Sequence, residues 1–273
     1  MTKPTPTPHA KFADAVLPIA ASTLIETDSL GIEAGWTEIP LASPQDERMK
    51  AYQAYPSGQS GLPIVLVVQE IFGVHQHIQD IVRRLAKLGY YAIAPELFHR
   101  QGDISGLPIE AIRAITPKIA DSDVLADLDA TLAFAGNEKG DLSRAALTGF
   151  CWGGRIAWLY AAHQDSLKAA VAWYGRIQGE ATANQPRFPI DLALELKSPV
   201  LGLYGGADAG IPVATVDALR EKLERTGSAS RIHVYPDVPH AFFADYRPSY
   251  RAAEAEDGWV RLQEWLRIHL GNL

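Results

Sequence analysis

A single cysteine lies where a strand pattern gives way to a helix pattern. Cys151 is the only cysteine in the 273-residue sequence, and it stands in the run Gly149-Phe150-Cys151-Trp152-Gly153. This run matches a G-x-S-x-G nucleophile elbow with cysteine in the serine position. The glycines allow a turn tight enough to lift the sulfur above the sheet edge, where the start of the next helix favours a thiolate. The pattern predicts a cysteine nucleophile; the alternative is a small buried thiol.

A thiol nucleophile needs a base, and the base needs a group that orients it. His240 and Asp208 each follow a predicted strand, so both are expected at strand ends. The chain order of nucleophile, acid and histidine is that of the α/β hydrolases. We therefore predict a triad of Cys151, Asp208 and His240. Two alternatives stay open: Asp208 could cap the following helix, and Asp237 could be the acid, although it is close to His240 in the chain.

A glutamate follows the most apolar predicted strand. Glu70 comes soon after the five apolar residues 64–68, and a carboxylate buried there is costly unless it has a partner. The position matches the loop that supplies an oxyanion donor in α/β hydrolases, so the Ile71 amide is one candidate donor. The amide of Trp152, next to the cysteine, is the other. The alternative is a strand-end glutamate that reaches water.

The remaining histidines and the cysteine count bear on metal binding. His75 and His77 stand two residues apart near the start of a predicted helix, where they share a face poorly. One cysteine excludes an internal disulfide and a multi-cysteine metal site. We predict neither a metal nor an organic cofactor. His99 has no predicted role.

Short apolar runs alternate with amphipathic segments along the chain. This alternation predicts an α/β fold, with a doubly wound, mostly parallel sheet flanked by helices. Strands are predicted at 36–39, 49–55, 63–69, 91–95, 145–150, 169–173, 200–204 and 231–235. Helices are predicted at 78–88, 124–134, 153–162, 213–223 and 259–270, with residues 96–122 irregular to helical. In such sheets, reactive residues gather at the carboxyl ends of the parallel strands.

The amino-acid composition argues against several classes of function. Lys and Arg total 25 and Asp and Glu total 32, a net charge of −7, which implies no general affinity for nucleic acid or an anionic membrane. The proline-rich N-terminus lacks the apolar core of a signal peptide, and no apolar run approaches the ~20 residues of a membrane span. We expect a cytoplasmic monomer, with residues 1–30 as a flexible lead-in and 31–273 as a single domain.

Four motifs together resemble the dienelactone hydrolases, also called carboxymethylenebutenolidases. They are Gln69–Gly73, Gly149–Gly154, Tyr204–Asp208 and His240–Phe242, and the similarity runs from about residue 30 to the end, including the bacterial segment Ala244–Tyr250. The resemblance implies the α/β-hydrolase fold and a Cys151–His240–Asp208 triad that opens lactone or enol-ester bonds. It also implies that Glu70 contacts the resting thiol and takes its proton when substrate binds, as a desolvated carboxylate can.

The resemblance further implies arginines that grip a substrate carboxylate. Arg100 stands at one matching position, but the second is Ala244, and the family serine after the histidine is Ala241. Arg247 is a candidate replacement at a different spacing, and Tyr174 would line the pocket or simply pack in the core. We expect a small lactone or ester substrate, with or without a carboxylate. The alternatives are a broad carboxylesterase or thioesterase, and a non-catalytic small-molecule binding protein on the same fold.

Overall fold

The residues described by this computed structural model, 23–42 and 47–272, fold around one sheet. Its strands are β1 Ile32–Pro40, β2 Arg48–Pro56, β3 Leu62–Val68, β4 Tyr91–Pro95, β5 Gly140–Phe150, β6 Leu167–Trp173, β7 Val200–Gly205 and β8 Arg231–Tyr235. Their order in the sheet is β1-β2-β4-β3-β5-β6-β7-β8. The pairs β1–β2 and β2–β4 are antiparallel, and all other neighbours are parallel. The predicted mostly parallel sheet is confirmed.

Helices occupy the connections between most of the strands. They are α1 Gln76–Lys87, α2 Ile109–Ile115, α3 Asp121–Glu138, α4 Trp152–His163, α5 Pro189–Leu192, α6 Val213–Arg225 and α7 Ala252–Leu270. The last helix begins well before the predicted start at Trp259, because the stretch from Ala252 is rich in alanine, which favours a helix without an apolar period. No helix among the described residues is long and apolar enough to cross a membrane.

The centre of the sheet is covered on both faces. Every residue of β3 and β4 is buried, although successive side chains of a strand point to opposite faces. Helix α1 packs against β2 and β4, and α4 packs against β5 and β6. An apolar run without polar alternation is therefore typical of a parallel strand between two helical layers.

The register of the parallel strands brings their carboxyl ends to one edge. Val68 of β3 aligns with Gly149 of β5, and Phe150 aligns with Trp173 of β6. Along the same edge, Gly205 of β7 aligns with Tyr235 of β8. Residues that follow these strands in the sequence are therefore neighbours in space.

A buried ion pair fixes the helix that starts beside Cys151. Both terminal nitrogens of Arg155, in the first turn of α4, donate to the two carboxylate oxygens of Asp121, each at 2.7 Å. One of them also donates to the Arg187 carbonyl oxygen, and the guanidinium lies 4.7 Å from the centre of the Phe188 ring. This bidentate pair connects the starts of α3 and α4.

Replacing Asp121 tests this connection. In Asp121→Ala the guanidinium stays buried without its carboxylate, and we expect the free energy of unfolding to fall by about 3–5 kcal/mol. Urea denaturation measures the change. Asp123→Ala is the matched control, because Asp123 lies in the same helical turn but is exposed; its effect should stay below about 1 kcal/mol. Equal losses in the two variants would contradict the structural importance of the pair.

Candidate active site

The turn between β5 and α4 presents Cys151 at the sheet edge. Cys151 has φ = +55°, a conformation that costs a non-glycine residue about 1–3 kcal/mol. A Cβ atom on Gly149 would lie 2.1 Å from the Gly153 carbonyl oxygen, and one on Gly153 would lie 2.5 Å from the Gln69 carbonyl oxygen. The two glycines are therefore required for the helix to approach the ends of β3 and β5. The thiol is half-buried.

Cys151, His240 and Asp208 form one hydrogen-bonded line. The Cys151 Sγ lies 3.2 Å from His240 Nε2, and His240 Nδ1 lies 2.6 Å from Asp208 Oδ2. The other oxygen of Asp208 accepts a hydrogen bond from the Gly210 amide at 2.8 Å. Asp208 is buried, whereas the alternative acid, Asp237, is exposed. The structure thus brings together the three residues that the sequence predicts as a triad.

The partners of the imidazole favour its protonated form. Burial lowers the pKa of His240, but the hydrogen bonds to Asp208 and Cys151 outweigh this effect and raise the pKa to about 10. A cationic ring beside the sulfur stabilises a thiolate. The arrangement can hold a thiolate–imidazolium pair, which is the nucleophilic form of such a site.

The predicted oxyanion donors stand at two element boundaries. Trp152 is the first residue of α4, so its amide has no acceptor within the helix. Ile71 is half-buried in the turn that follows β3. The same turn is held by Glu96, whose Oε1 accepts a hydrogen bond from the Val74 amide at 2.6 Å. Burial, opposed by that hydrogen bond, raises the pKa of Glu96 to about 7.

Glu70 is buried among groups other than the thiol. Its Oε2 accepts a hydrogen bond from the Tyr246 hydroxyl at 2.5 Å and lies 3.5 Å from His75 Nε2. Burial raises the pKa of Glu70, but His75, His77 and Arg247 outweigh it and lower the pKa to about 2. The family resemblance implies a resting contact between Glu70 and Cys151; in this structure the thiol faces His240, and the glutamate accepts a hydrogen bond from Tyr246 instead.

The charges of Cys151 and Glu70 act on both Tyr174 and Arg247. The Tyr174 ring meets the His240 ring edge to face at 5.1 Å, and its buried hydroxyl has no hydrogen-bond partner among the described residues. Burial and the negative charges of Glu70 and Cys151 raise the Tyr174 pKa well above its ordinary value. Burial lowers the pKa of Arg247, but Glu70, Tyr246 and Cys151 reverse the direction and raise it.

The two predicted arginines differ in what they bind. Arg100 donates two hydrogen bonds to Asp127, at 2.5 and 2.8 Å, and His99 lies 3.1 Å from the same carboxylate. Arg247 forms no ion pair within the described ranges. Its guanidinium lies 5.7 Å from the centre of the Phe72 ring. The cation of Arg247 therefore has no ion-pair partner in the described ranges, whereas Arg100 is paired with Asp127.

Sequence reasoning does not find three residues of this site: His75, Tyr246 and Glu96. A signal for the first two exists, because a glutamate buried after an apolar strand requires partners. The spacing of His75 and His77 raises only the question of a metal, and no group of residues in the described part of the chain could hold a metal ion. Tyr246 lies in a segment whose fold cannot be read from periodicity. Glu96 has no sequence signal beyond its place after β4.

The comparisons with known proteins agree on one family. The family model described as "Dienelactone hydrolase family" matches residues 49–270. A Methylorubrum extorquens protein named "Putative carboxymethylenebutenolidase" is 55% identical over 259 residues, covering 94% of this chain and 88% of its own length. An Escherichia coli K12 protein of the same name is 51% identical and covers 97% and 98%. The crystal structure of a "Putative Dienelactone Hydrolase" from Klebsiella pneumoniae superposes with a TM-score of 0.83 at 52% identity, covering 86% of this chain and 98% of its own.

The raised pKa of Glu96 predicts a pH-dependent stability. A carboxyl group whose pKa rises on folding stabilises the protein at low pH, and this contribution is lost as pH rises from its ordinary pKa toward about 7. We therefore expect the free energy of unfolding of the wild type, relative to Glu96→Gln, to decrease between pH 5 and pH 8. Urea denaturation of both proteins across this range measures it. A constant difference would show that Glu96 titrates normally.

Proposed function

The chain belongs to the dienelactone hydrolase family and is a carboxylic ester hydrolase of that type; from this premise we propose that it opens lactone or enol-ester bonds by covalent catalysis at Cys151. The observation that carries the proposal is the line of contacts from Sγ through His240 to Asp208, at 3.2 and 2.6 Å. Nucleophile, base and orienting acid are within hydrogen-bonding reach of one another, which is the arrangement required for an activated nucleophile.

The first step forms a thioester. The Cys151 thiolate attacks the acyl carbon, a C–S bond forms, and the carbonyl electron pair moves onto oxygen. The amides of Ile71 and Trp152 stabilise this oxyanion. When the carbonyl re-forms, the acyl C–O bond breaks and the leaving enolate or alkoxide takes the proton from the His240 imidazolium. In a lactone the leaving oxygen stays tethered to the acyl group.

The second step releases the acid. Once the sulfur is acylated its negative charge is gone, and with it one of the interactions that raise the pKa of His240. The neutral ring is then a better base, and it removes a proton from water as the water attacks the thioester. The second oxyanion collapses, the C–S bond breaks, and the thiolate returns beside the imidazolium. Asp208 orients the ring in both steps.

A cation beside the thiol favours substrates that carry a carboxylate. Arg247 has no ion-pair partner among the described residues and is half-buried at the site, where a charge-assisted hydrogen bond to an anion is stronger than in water. This observation favours an acidic lactone over a neutral ester. A broad carboxylesterase remains the competing function, and it predicts no preference for a free carboxylate.

Replacing the nucleophile tests the mechanism. In Cys151→Ala we expect the hydrolysis of activated esters and lactones to fall by roughly 10³-fold or more, because no thioester can form. The circular dichroism spectrum and melting temperature should stay close to those of the wild type. Turnover rates at matched enzyme concentration measure the loss. Retained turnover would refute the assignment of Cys151.

The two candidate acids provide a matched control. Asp208→Asn should lower kcat strongly, since the orienting negative charge is lost. Asp237→Asn makes the same chemical change at an exposed position and should leave kcat within about twofold of the wild type. A larger loss in Asp237→Asn than in Asp208→Asn would assign the acid to the alternative residue.

Substrate preference tests the cation. Arg247→Met removes one charged hydrogen bond to a substrate carboxylate, worth about 1.5–3 kcal/mol. We expect KM for carboxylate-bearing esters to rise about 10- to 100-fold, while KM for matched neutral esters stays nearly constant. Arg100→Met is the control variant, because it makes the same chemical change at an arginine that is paired with Asp127. Equal effects of Arg247→Met on acidic and neutral esters would favour the broad carboxylesterase.

A further inference from the structure

A buried aspartate anchors the loop that follows His240. Asp245 is 1% exposed. One of its oxygens accepts hydrogen bonds from the Ile25 amide at 2.9 Å and from Arg84 at 3.3 Å. The other oxygen lies 2.8 Å from His77 Nδ1. This carboxylate therefore bonds the loop to both α1 and the segment that precedes β1, in addition to the contacts of the Phe243 and Tyr246 rings with His77 of α1.

The two residues after Asp245 extend to the candidate active site. The Tyr246 hydroxyl donates to Glu70, and the Arg247 guanidinium lies 5.7 Å from the centre of the Phe72 ring, in the turn after β3.

Loop 241–251 belongs to no sheet ladder, and its backbone bonds mostly to itself. Its side chains therefore determine where it lies. Phe242 and Phe243 pack in the hydrophobic core, and Asp245 supplies the polar contacts to α1 and to the segment that precedes β1.

The segment 24–30, here called the N-terminal strap, runs along α1. Besides the Ile25 contact, the Thr27 amide donates to Asp80 at 2.6 Å, and Lys87 forms an ion pair with Asp28. The strap lies outside the part of the chain that the family model matches. The contacts of Thr27 and Asp28 hold the strap to α1. The hydrogen bond from the Ile25 amide to Asp245 connects the strap to loop 241–251.

Two buried aspartates, Asp80 and Asp245, share one arginine partner, Arg84. It pairs with Asp80 at 2.5 Å and with Asp245 at 3.3 Å. Each aspartate accepts one strap amide and faces the shared guanidinium, and both are about 1% exposed. Asp80 has Arg83 as a further partner at 3.1 Å, where Asp245 has His77 at 2.8 Å. The two aspartates differ in their place in the chain: Asp80 lies within α1, whereas Asp245 directly precedes Tyr246 and Arg247.

We propose that Asp245 is a positioning residue through which the N-terminal strap holds Tyr246 against Glu70 and Arg247 over the Phe72 ring, at the edge of the candidate active site. The part that concerns substrate binding rests on the function proposed above for Arg247. When the carboxylate of Asp245 is paired, loop 241–251 is fixed against α1 and the cation of Arg247 stays directed at the substrate. When this anchor is lost, the loop moves between several positions, and the guanidinium of Arg247 is directed at the substrate only part of the time.

Hydrogen exchange measures the anchoring without reference to catalysis. We expect Asp245→Asn to accelerate amide exchange in the peptide that spans 241–251 by about tenfold or more, whereas Asp80→Asn, its matched control, leaves that peptide unchanged and accelerates exchange only in the strap and α1. Unchanged exchange of 241–251 in Asp245→Asn would overturn the proposal, whatever happens to activity.

A second pair of variants tests the role of the strap if Asp245→Asn does not fold. Ile25→Pro and Thr27→Pro each remove one amide donor, because proline has no N–H, and the Ile25 side chain is 42% exposed, so little packing is lost. Only Ile25→Pro should accelerate exchange in 241–251. Equal effects of the two proline variants would mean that the strap acts through general stability, which would overturn the proposal.

Kinetics separate this proposal from the proposed function. Asp245→Asn should raise KM for carboxylate-bearing esters at least about threefold and leave neutral esters unchanged, and in the Arg247→Met background it should have no further effect on KM, because the two changes act through one group. Faster exchange without any change in substrate preference supports the anchoring and contradicts the substrate role of Arg247. An equally large effect in the Arg247→Met background would overturn the route through Arg247.

Discussion

The approach of α4 to the strand ends is the constraint on which the site depends. The first turn of α4 lies so near the end of β3 that a single extra carbon on Gly153 would collide with the Gln69 carbonyl oxygen. At this close approach the backbone of Cys151 takes a positive φ, and the Trp152 amide begins α4 directly after it.

Strain and buried charge are concentrated around the sulfur. The three non-glycine residues with positive φ in the described ranges are Cys151, Tyr174 and Ala241, each near the end of a strand or its following loop at the site. Such conformations persist only where the surrounding structure holds them. Two charged pairs belong to the surrounding structure: Asp208 with His240, and Arg155 with Asp121. The first contacts Cys151 through His240, and the second fixes the start of α4.

The prediction of the fold is confirmed, and the three residues predicted as a triad lie in one hydrogen-bonded line, while their catalytic role stays a prediction. Both predictions depend on local patterns. The apolar runs of β3 and β4 and the glycine spacing around Cys151 need no knowledge of distant contacts. The partners of Glu70 could not be predicted, since Tyr246 reaches it across 176 residues of chain from a loop without periodicity. The ion pair of Arg100 could not be predicted for the same reason, because its partner Asp127 lies in a separate element. The flexible lead-in expected for residues 1–30 lies partly outside the described residues; its part from residue 24 onward is fixed to α1 by hydrogen bonds and an ion pair.

Having a single thiol in the sequence has a chemical consequence that a serine in its place would not have. A thiolate is readily oxidised by peroxide to a sulfenic acid, and a second nearby thiol normally traps that product as a disulfide before oxidation goes further. Cys151 has no such neighbour in its own chain. Reduction of the oxidised sulfur therefore depends on a thiol from outside this chain, and any molecule bound over the sulfur would shield it from both the oxidant and that thiol.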